Sequence, residues 1–357
     1  MTSNKQADIK DRAQTRERLK REKPVVYNKF IQLDEKLSRG ESPAPVIEIA
    51  YRYDCNLRCK HCFADRFRFE KKDEKKISLE DLKSLSRQAN ELGVYQFILQ
   101  GGEPIFWRDF DEVVAAINPK EFYLGLVTNA TLLNQEKMQH LRDVGIDKIV
   151  MSLDSYDAAQ YEEIRNRPGI FEHTINMILL AKEAGLRVVV NTLATKQNVR
   201  SPKLLQLIEL AKKHDFIIYV NFASPIGNWE GRYDVLLDKD DAAYIYDLNK
   251  QHEIVKRDIF PYKGINVGCP AFRSVVYITE SGDVLPCPFI HISVGNILKE
   301  PLAKIIEKGM RIKWFKNRPT ACLACEDMDF IKNKIAKTYG KPSPVDMREI
   351  FTEDEFC

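Results

Sequence analysis

The chain of 357 residues lacks any long apolar run, and no stretch approaches the ~20 residues that a membrane-spanning helix needs. Its N-terminus is charged and lacks the apolar centre of a secretory signal. The sequence also lacks a charge excess, since 55 Lys and Arg residues nearly balance 52 Asp and Glu residues. We therefore expect a cytoplasmic protein that has neither a membrane nor nucleic acid as its partner.

The number and spacing of the cysteines are informative. In a reducing cytoplasm the eight cysteines are not expected to form structural disulfides, and clustered cysteines there more often bind metal or carry out redox chemistry. Seven of the eight fall in short, spaced groups, and only Cys357 stands apart. We interpret Cys357 as a surplus thiol.

Short β-branched or apolar runs alternate with amphipathic helical stretches from Val46 onward. Six runs are predicted strands: residues 46–50, 95–100, 121–128, 148–153, 187–193 and 217–222. Ser78, with Asp81 three residues later, predicts a capped helix start. This alternation predicts a parallel α/β sheet with right-handed crossovers, either open or closed into a partial or full barrel. Chemistry is then expected at the carboxyl ends of the strands.

The two ends of the chain differ from this regular core. Residues 1–23 are rich in charged residues and predict a solvated helix or frayed tail. After about Ser224, proline and glycine interrupt the chain, and five cysteines lie beyond Gly268. This pattern favours a second, loop-rich module held by metal over a continuation of the sheet. We therefore expect an N-terminal extension (1–45), an α/β core (46–224) and a C-terminal cysteine-bearing domain (225–357).

The first cysteine group follows the first predicted strand, where Cys55, Cys59 and Cys62 place three thiols within eight residues. Thiolates are soft ligands that select iron–sulfur clusters or zinc. A structural zinc site closes with four protein ligands, whereas three thiolates leave one iron of a [4Fe–4S] cluster open. His61 adjoins Cys62, so its chelation of the same ion would strain the backbone. The group therefore predicts a cluster with an open iron.

A Gly-Gly-Glu turn at Gly101, Gly102 and Glu103 ends the second predicted strand. Glycines let the backbone approach a ligand closely, and Glu103 offers an anion for an ammonium group. Alone, this motif is weak and favours a tight strand–helix turn. Beside an open-iron cluster at the same sheet edge, it becomes a candidate site for an amino acid group.

These two motifs, at their mutual spacing, resemble the radical S-adenosylmethionine (SAM) superfamily over residues 46–224, with His61 at the aromatic position of the cysteine loop. The resemblance implies a partial six-stranded (β/α) barrel in which SAM chelates the open iron. It further implies reductive cleavage of SAM to a 5′-deoxyadenosyl radical, which abstracts hydrogen from a substrate. Glu103 is then expected to bind the SAM amino group, assisted by the backbone of Gly101 and Gly102. The family also implies an external electron donor such as flavodoxin or ferredoxin.

The resemblance suggests further contacts to SAM. Ser152 and Asp154 end the fourth strand, where the family places polar contacts to SAM, and Asn191 on the fifth strand suits the ribose hydroxyls. Arg165 resembles the arginine that often reaches the methionine carboxylate. The alternatives are that Ser152 and Asp154 cap a helix and that Arg165 is solvated.

The second cysteine group resembles the C-terminal auxiliary-cluster modules of the same superfamily, and its members are Cys269, Cys287, Cys322 and Cys325. The seven-cysteine form, called SPASM, continues with two further cysteines, but those positions hold Ile331 and Ile335 here. The shorter form, called twitch, holds one [4Fe–4S] cluster and matches four cysteines. The chain is thus expected to carry two [4Fe–4S] clusters in all, although the same four thiolates also permit a structural zinc.

The resemblance implies a net oxidation of a small molecule, in which the auxiliary cluster takes an electron from the substrate radical. Epimerisation or crosslinking of a ribosomally made peptide is the alternative. Only residues 1–45 precede the first strand, too few for the leader-binding domain that peptide modifiers often carry. A non-enzymatic metal-binding or electron-carrier protein is a further possibility, but it leaves the open iron and the Gly-Gly-Glu turn unexplained.

Overall fold

The computed structural model describes residues 3–41, 44–69, 75–257, 268–317 and 319–357. Its strands are β1 Val46–Ala50, β2 Gln96–Gln100, β3 Tyr123–Thr128, β4 Lys148–Ser152, β5 Arg187–Ala194, β6 Ile217–Phe222, β7 Val255–Lys256, β8 Val275–Ile278, β9 Asp283–Leu285, β10 Ile292–Ser293, β11 Gly295–Asn296 and β12 Val345–Asp346. A ten-stranded sheet has the order β11-β9-β8-β1-β2-β3-β4-β5-β6-β7, and β10 pairs with β12 apart from it.

The helices connect and cover these strands. They are α1 Ser3–Glu22, α2 Pro24–Ser38, α3 Asp65–Phe69, α4 Leu79–Glu91, α5 Phe110–Ile117, α6 Gln135–Asp143, α7 Ala158–Arg165, α8 Ile170–Glu183, α9 Pro202–His214, α10 Lys239–Gln251, α11 Leu302–Met310, α12 Lys313–Lys316 and α13 Met328–Asn333. Short 3₁₀ turns lie at Pro104–Phe106, Gly227–Trp229, Tyr233–Val235, Ile335–Thr338, Met347–Glu349 and Glu353–Glu355. Within the described ranges, no helix has the length and apolar character that crossing a bilayer requires.

The predicted α/β fold with a partial six-stranded barrel is confirmed. Strands β1 to β6 lie side by side in chain order, and every neighbouring pair is parallel. The predicted strand bounds agree with β1–β6 to within two residues. The predicted helix start is also observed, because the Ser78 side chain accepts from the Asp81 amide and the Asp81 carboxylate accepts from the Ser78 amide.

The expected break of the sheet after residue 224 is wrong. β7 adds in parallel to β6, and β8 adds in parallel to β1, with Val46 opposite Val275 and Ile49 opposite Ile278. β8 continues into the antiparallel strand β9. The open edge of β1 would otherwise present unpaired backbone groups, and the buried Val-Val-Tyr-Ile run of β8 can satisfy them. The C-terminal cysteines are thereby joined to the edge of the barrel.

The expectation of a solvated N-terminal segment is wrong for the end of α1. Asp147, whose side chain is fully buried just before β4, binds Arg18 at 2.8 Å and Lys23 at 2.5 Å. Leu19 is fully buried and packs in one cluster with Tyr123. A buried carboxylate requires counter-charges, and α1 and the residue after it supply them. The helix is therefore docked at the amino-terminal end of the barrel strands.

Candidate active site

A cavity of about 1310 Å³ runs through the barrel, from the carboxyl ends of the strands to α1 and α2 at their amino-terminal ends. All seven grouped cysteines lie in its wall: Cys55, Cys59, Cys62, Cys269, Cys287, Cys322 and Cys325. Six other predicted site residues also line it: Gly101, Gly102, Ser152, Asp154, Arg165 and Asn191. The structure thus brings together the two cysteine groups, which are far apart in the sequence. Glu103 is the predicted site residue that lies outside this wall.

The first cysteine loop is held in place by contacts with a segment that the sequence analysis did not identify. Asn228 donates from Nδ2 to the Cys59 carbonyl at 2.9 Å and from its backbone amide to the Cys62 carbonyl at 3.0 Å. Gly227 has φ +59°, and a Cβ there would lie 2.2 Å from the Cys62 carbonyl oxygen. Only glycine suits such a close approach. The Gly-Asn dipeptide signals a turn, but nothing local indicates which loop it would touch.

Two thiols of this loop are shielded from solvent, and two lie close to hydrogen-bond donors. Burial raises the pKa of the Cys62 thiol to about 11 and also raises the pKa of Cys59. Asn129 Nδ2 lies 3.8 Å from Cys55 Sγ, and Arg165 Nη1 lies 3.8 Å from Cys59 Sγ. Such donors stabilise metal-bound thiolates, and cluster binding must displace the thiol protons.

The second cysteine group is also tightly associated. Hydrogen bonds from the Cys269 and Cys325 thiols lower the pKa of Cys322, and the Cys287 thiol acts electrostatically on Cys269. Among the described residues, no three Cys, His, Asp or Glu side chains converge on a point that one metal ion could occupy. In a [4Fe–4S] cluster each thiolate bonds a different iron, whereas a structural zinc site places its four ligands on one ion.

The two isoleucines that replace the remaining SPASM cysteines lie in the core. Ile331 is fully buried in α13, and Ile335 is 1% exposed in the next 3₁₀ turn. These positions stabilise the C-terminal domain by apolar packing. Neither side chain offers an atom that could bind a metal.

The Gly-Gly turn lies directly against the start of the cysteine loop. A Cβ at Gly101, where φ is +122°, would lie 2.6 Å from Ala50 Cβ. A Cβ at Gly102 would lie 2.1 Å from the Asp54 carbonyl oxygen. The Asp54 carbonyl also accepts from the Glu103 amide at 2.8 Å. Both glycines are therefore required for contact between the two motifs, and their backbone faces the cavity.

Glu103 lies behind the cavity wall. Its side chain is fully buried and accepts from Thr128 Oγ1 at 2.7 Å, from the Asn129 amide at 2.7 Å and from the Ile105 amide at 3.2 Å. Burial raises its pKa to about 7, although these three donors favour the ionised form. The carboxylate thus ties the end of β2 to the end of β3. This placement favours the glycine backbone over the Glu103 side chain as the direct contact to a ligand.

We expect the stability of the fold to depend on the protonation of Glu103. Its pKa in the folded protein, about 7, lies above the ordinary value of 4.5. The folded state therefore holds this proton more tightly, and the resulting stability is full below about pH 4.5 and is lost as the pH rises through 7. Relative to Glu103→Gln, the wild-type free energy of unfolding should fall across this range. Denaturant unfolding of both proteins at several pH values measures the difference.

A second variant, Thr128→Val, tests the same titration of Glu103. Thr128→Val removes one donor to the carboxylate, so the pKa of Glu103 should rise further and the fall in stability should extend to higher pH. Glu103→Gln itself loses charge-assisted contacts of about 1.5–3 kcal/mol each. If the free energy of unfolding varied with pH in the same way in the wild type and in Glu103→Gln, Glu103 would not titrate in this range.

Asp154 and Arg165 pair with each other inside the site. Arg165 Nε donates to Asp154 Oδ2 at 2.7 Å, and its Nη2 lies 2.6 Å from the same oxygen. The alternative of a solvated Arg165 is wrong because the residue is 8% exposed. The capping alternative is wrong too, since Asp157 caps α7. Burial lowers the pKa of His61, whose Nε2 lies 3.9 Å from Asp154, to about 4, so its ring is neutral.

The strand register extends the predicted Ser152–Asn191 pair into a row of four cavity residues. Ser152 is opposite Asn191, Asn191 is opposite Tyr219, and Tyr219 is opposite Lys256. All four side chains belong to the cavity wall. The Tyr219 hydroxyl is buried and makes no hydrogen bond among the residues described. Sequence reasoning missed Tyr219 and Lys256 because only the pairing of β5, β6 and β7 reveals this row.

The fold and the cavity define an α/β barrel protein of the iron–sulfur type, with a three-cysteine loop after its first strand. Residues 52–220 match the model of the radical SAM superfamily, and residues 269–326 match that of an iron–sulfur cluster-binding domain, SPASM. The chain belongs to the radical SAM superfamily and carries a C-terminal SPASM domain. It is a radical SAM enzyme, and the predicted cofactors, [4Fe–4S] clusters and SAM, are confirmed.

Relatives with known activities fall into more than one reaction type. The AdoMet-dependent heme synthase of Nitratidesulfovibrio vulgaris is 24% identical over 328 residues, covering 83% of this chain and 88% of the relative. The GTP 3′,8-cyclase of Staphylococcus aureus strain Mu3 is 30% identical over 238 residues, covering 64% of this chain and 68% of the relative.

Solved structures show the same fold. Streptococcus suis SuiB bound to the precursor peptide SuiA superimposes with a TM-score of 0.59 at 19% identity, covering 76% of this chain and 67% of that one. Native anSMEcpe with bound AdoMet also gives a TM-score of 0.59, at 18% identity, covering 81% of this chain and 96% of that one.

Proposed function

We propose that the protein oxidises a small organic molecule by radical chemistry, with SAM bound at the first cysteine group and an auxiliary [4Fe–4S] cluster at the second. In this proposal residues 46–224 form the catalytic core, residues 225–357 carry the auxiliary cluster, and residues 1–45 are an extension. The observation that carries the proposal is that all seven grouped cysteines line one cavity. A substrate in that cavity can contact SAM on one side and the auxiliary cluster on the other.

The proposed reaction balances as a two-electron oxidation. When bound and reduced, the first cluster supplies the electron that cleaves SAM to methionine and a 5′-deoxyadenosyl radical. A hydrogen atom leaves a substrate C–H bond and forms 5′-deoxyadenosine. The substrate radical then loses a proton to solvent and an electron to the auxiliary cluster. A flavodoxin- or ferredoxin-type protein would supply the electron that starts each turnover, and a protein of the same kind would take up the electron left on the auxiliary cluster.

The chain's own residues have separate roles in this proposal. The backbone of Gly101 and Gly102 faces the amino acid part of SAM, and the Asp154–Arg165 pair holds the cation of Arg165 beside Cys59. Ser152 and Asn191 face the ribose. The rest of the row lies further along the sheet. Tyr219 is on β6, whose Phe222 carbonyl accepts from the Cys325 thiol, and Lys256 is on the next strand, β7. These two side chains are the proposed contacts to a polar group of the substrate.

Peptide modification is the second candidate. The structural neighbour SuiB is bound to a precursor peptide, and a cavity of about 1310 Å³ exceeds the ~300–1,000 Å³ of common small-molecule pockets. However, this cavity also has to hold SAM and the faces of two clusters. The remaining volume suits a small molecule or a single side chain of a peptide, and we favour the small molecule.

Deuterium transfer separates the two candidates even when the substrate has not been identified. Anaerobically reconstituted enzyme with SAM and reductant is incubated with the small-molecule fraction or the peptide fraction of deuterated cells. Hydrogen abstraction moves one deuterium into 5′-deoxyadenosine, which mass spectrometry detects. We expect labelled 5′-deoxyadenosine from the small-molecule fraction. If only the peptide fraction transferred deuterium to 5′-deoxyadenosine, the substrate would be a peptide and our proposal would be wrong.

A further inference from the structure

The loop that carries the last two cysteines is attached to the far edge of the barrel. The Cys325 thiol donates to the Phe222 carbonyl at the end of β6, with a separation of 3.4 Å. Ser224 Oγ donates to the Ala324 carbonyl at 2.8 Å. Cys287 follows β9, which lies one strand in from the opposite edge of the sheet. The second cysteine group therefore spans the opening of the partial barrel, and its geometry depends on contacts at the β6 and β7 edge.

Arg257, the residue after β7, also contacts this loop. Its side chain is 7% exposed, and its Nη2 lies 2.9 Å from Glu326 Oε2. Its guanidinium carbon lies 3.3 Å from the ring centroid of Phe222, a cation–π contact. The same Glu326 oxygen accepts from the Cys322 amide at 2.9 Å. A single carboxylate oxygen thus joins a buried cation of the barrel to the backbone of a predicted cluster ligand.

The charges of this pair act on the cysteine group with little screening. Glu326 directly follows Cys325 in the chain, and its Oε2 lies 2.9 Å from both Arg257 Nη2 and the Cys322 amide nitrogen. Buried charges interact more strongly than exposed ones because the surrounding dielectric constant is low. Removing one member of a buried pair leaves the charge of the other uncompensated.

We propose that the Arg257–Glu326 pair positions the Cys322–Cys325 loop and sets the reduction potential of the auxiliary cluster. The proposal rests on the assignment of Cys269, Cys287, Cys322 and Cys325 to one [4Fe–4S] cluster. Reduction adds negative charge to a cluster, so a neighbouring cation stabilises the reduced form and a neighbouring carboxylate destabilises it. Because these two effects oppose each other, the pair holds the auxiliary cluster at an intermediate reduction potential.

This arrangement predicts shifts of opposite sign for two conservative variants. Arg257→Gln leaves the Glu326 carboxylate uncompensated, so the potential should fall. Glu326→Gln leaves the Arg257 cation uncompensated while its amide oxygen can still accept from the Cys322 amide, so the potential should rise. Arg257→Lys keeps the charge and should stay near the wild-type value. The double variant Arg257→Gln/Glu326→Gln should also have a reduction potential close to that of the wild type.

The test uses full-length protein in which Cys55, Cys59 and Cys62 are replaced by Ala, so that only the auxiliary cluster is titrated. Iron analysis precedes an anaerobic redox titration followed by electron paramagnetic resonance. Arg348→Gln is the matched control, because Arg348 belongs to the same domain but is 81% exposed in its pair with Asp346. It should leave the potential unchanged.

The outcomes are distinguishable. Opposite shifts for Arg257→Gln and Glu326→Gln support the proposal. Equal potentials in all variants, or shifts of the same sign, overturn it while leaving the cysteine assignment intact. Absence of iron from the parent protein overturns the cysteine assignment and this inference together. If Arg257→Gln fails to bind a cluster, the sign of the Glu326→Gln shift alone still decides between these outcomes.

Discussion

Replacing Cys55, Cys59 and Cys62 together with Ala should abolish the formation of 5′-deoxyadenosine from SAM in the presence of dithionite. Three thiolates hold a [4Fe–4S] cluster with one iron open to SAM, and without them no electron can reach the sulfonium of SAM. Iron should fall from about eight to about four per chain. Anaerobic assays with chromatographic detection of 5′-deoxyadenosine, together with iron analysis, measure both effects.

Cys357 provides the matched control for this triple variant. Its thiol is exposed, donates to the Arg311 carbonyl at 3.1 Å and does not line the cavity. Cys357→Ala should keep both the iron content and the cleavage of SAM. Continued cleavage by the triple variant would show that the cluster-binding site lies elsewhere. Loss of iron in Cys357→Ala would mean that the C-terminal residue has been misinterpreted as a surplus thiol.

The fold of the core could be predicted from the sequence because its signals are local. β-branched runs and helix caps specify β1–β6, and a parallel sheet follows from their alternation with helices. The position of β8 could not be predicted in this way. Its four residues read as an isolated apolar run, and only the unpaired edge of β1, more than 200 residues earlier, explains why it joins the sheet. Docking of Arg18 and Lys23 onto Asp147 is long-range in the same sense.

The candidate site shows the same division between features set by nearby residues and features set by distant ones. Motif spacing identified the cysteines and the Gly101–Gly102 turn, because chelation and tight turns are determined by nearby residues. The surroundings of Glu103 could not be predicted, since a carboxylate beside two glycines looks available to a ligand. Its burial depends on Thr128 and Asn129, which belong to the next strand. Sequence alone does not indicate which donors will surround a carboxylate.

Removing the second cysteine group should separate SAM cleavage from product formation. With Cys269, Cys287, Cys322 and Cys325 replaced by Ala, iron should fall from about eight to about four per chain while the first cluster remains. The variant should cleave SAM but form no oxidised product, because the substrate radical has lost its electron acceptor. Iron and zinc analysis with parallel assays of 5′-deoxyadenosine and product measures this. About four irons and one zinc in the wild type would instead identify a structural zinc site.

Loss of activity alone would not decide this question, because metal binding also supports folding. The four cysteines connect the two sides of the open sheet, with Cys287 following β9 and Cys325 held by the end of β6, each one strand from an edge. Without a cluster these edges lose a covalent connection, so reduced solubility is expected even if electron transfer plays no part. The informative protein is therefore a folded variant that still yields 5′-deoxyadenosine. Full product formation by that variant would exclude an electron-accepting role and leave the auxiliary cluster as a structural closure of the barrel.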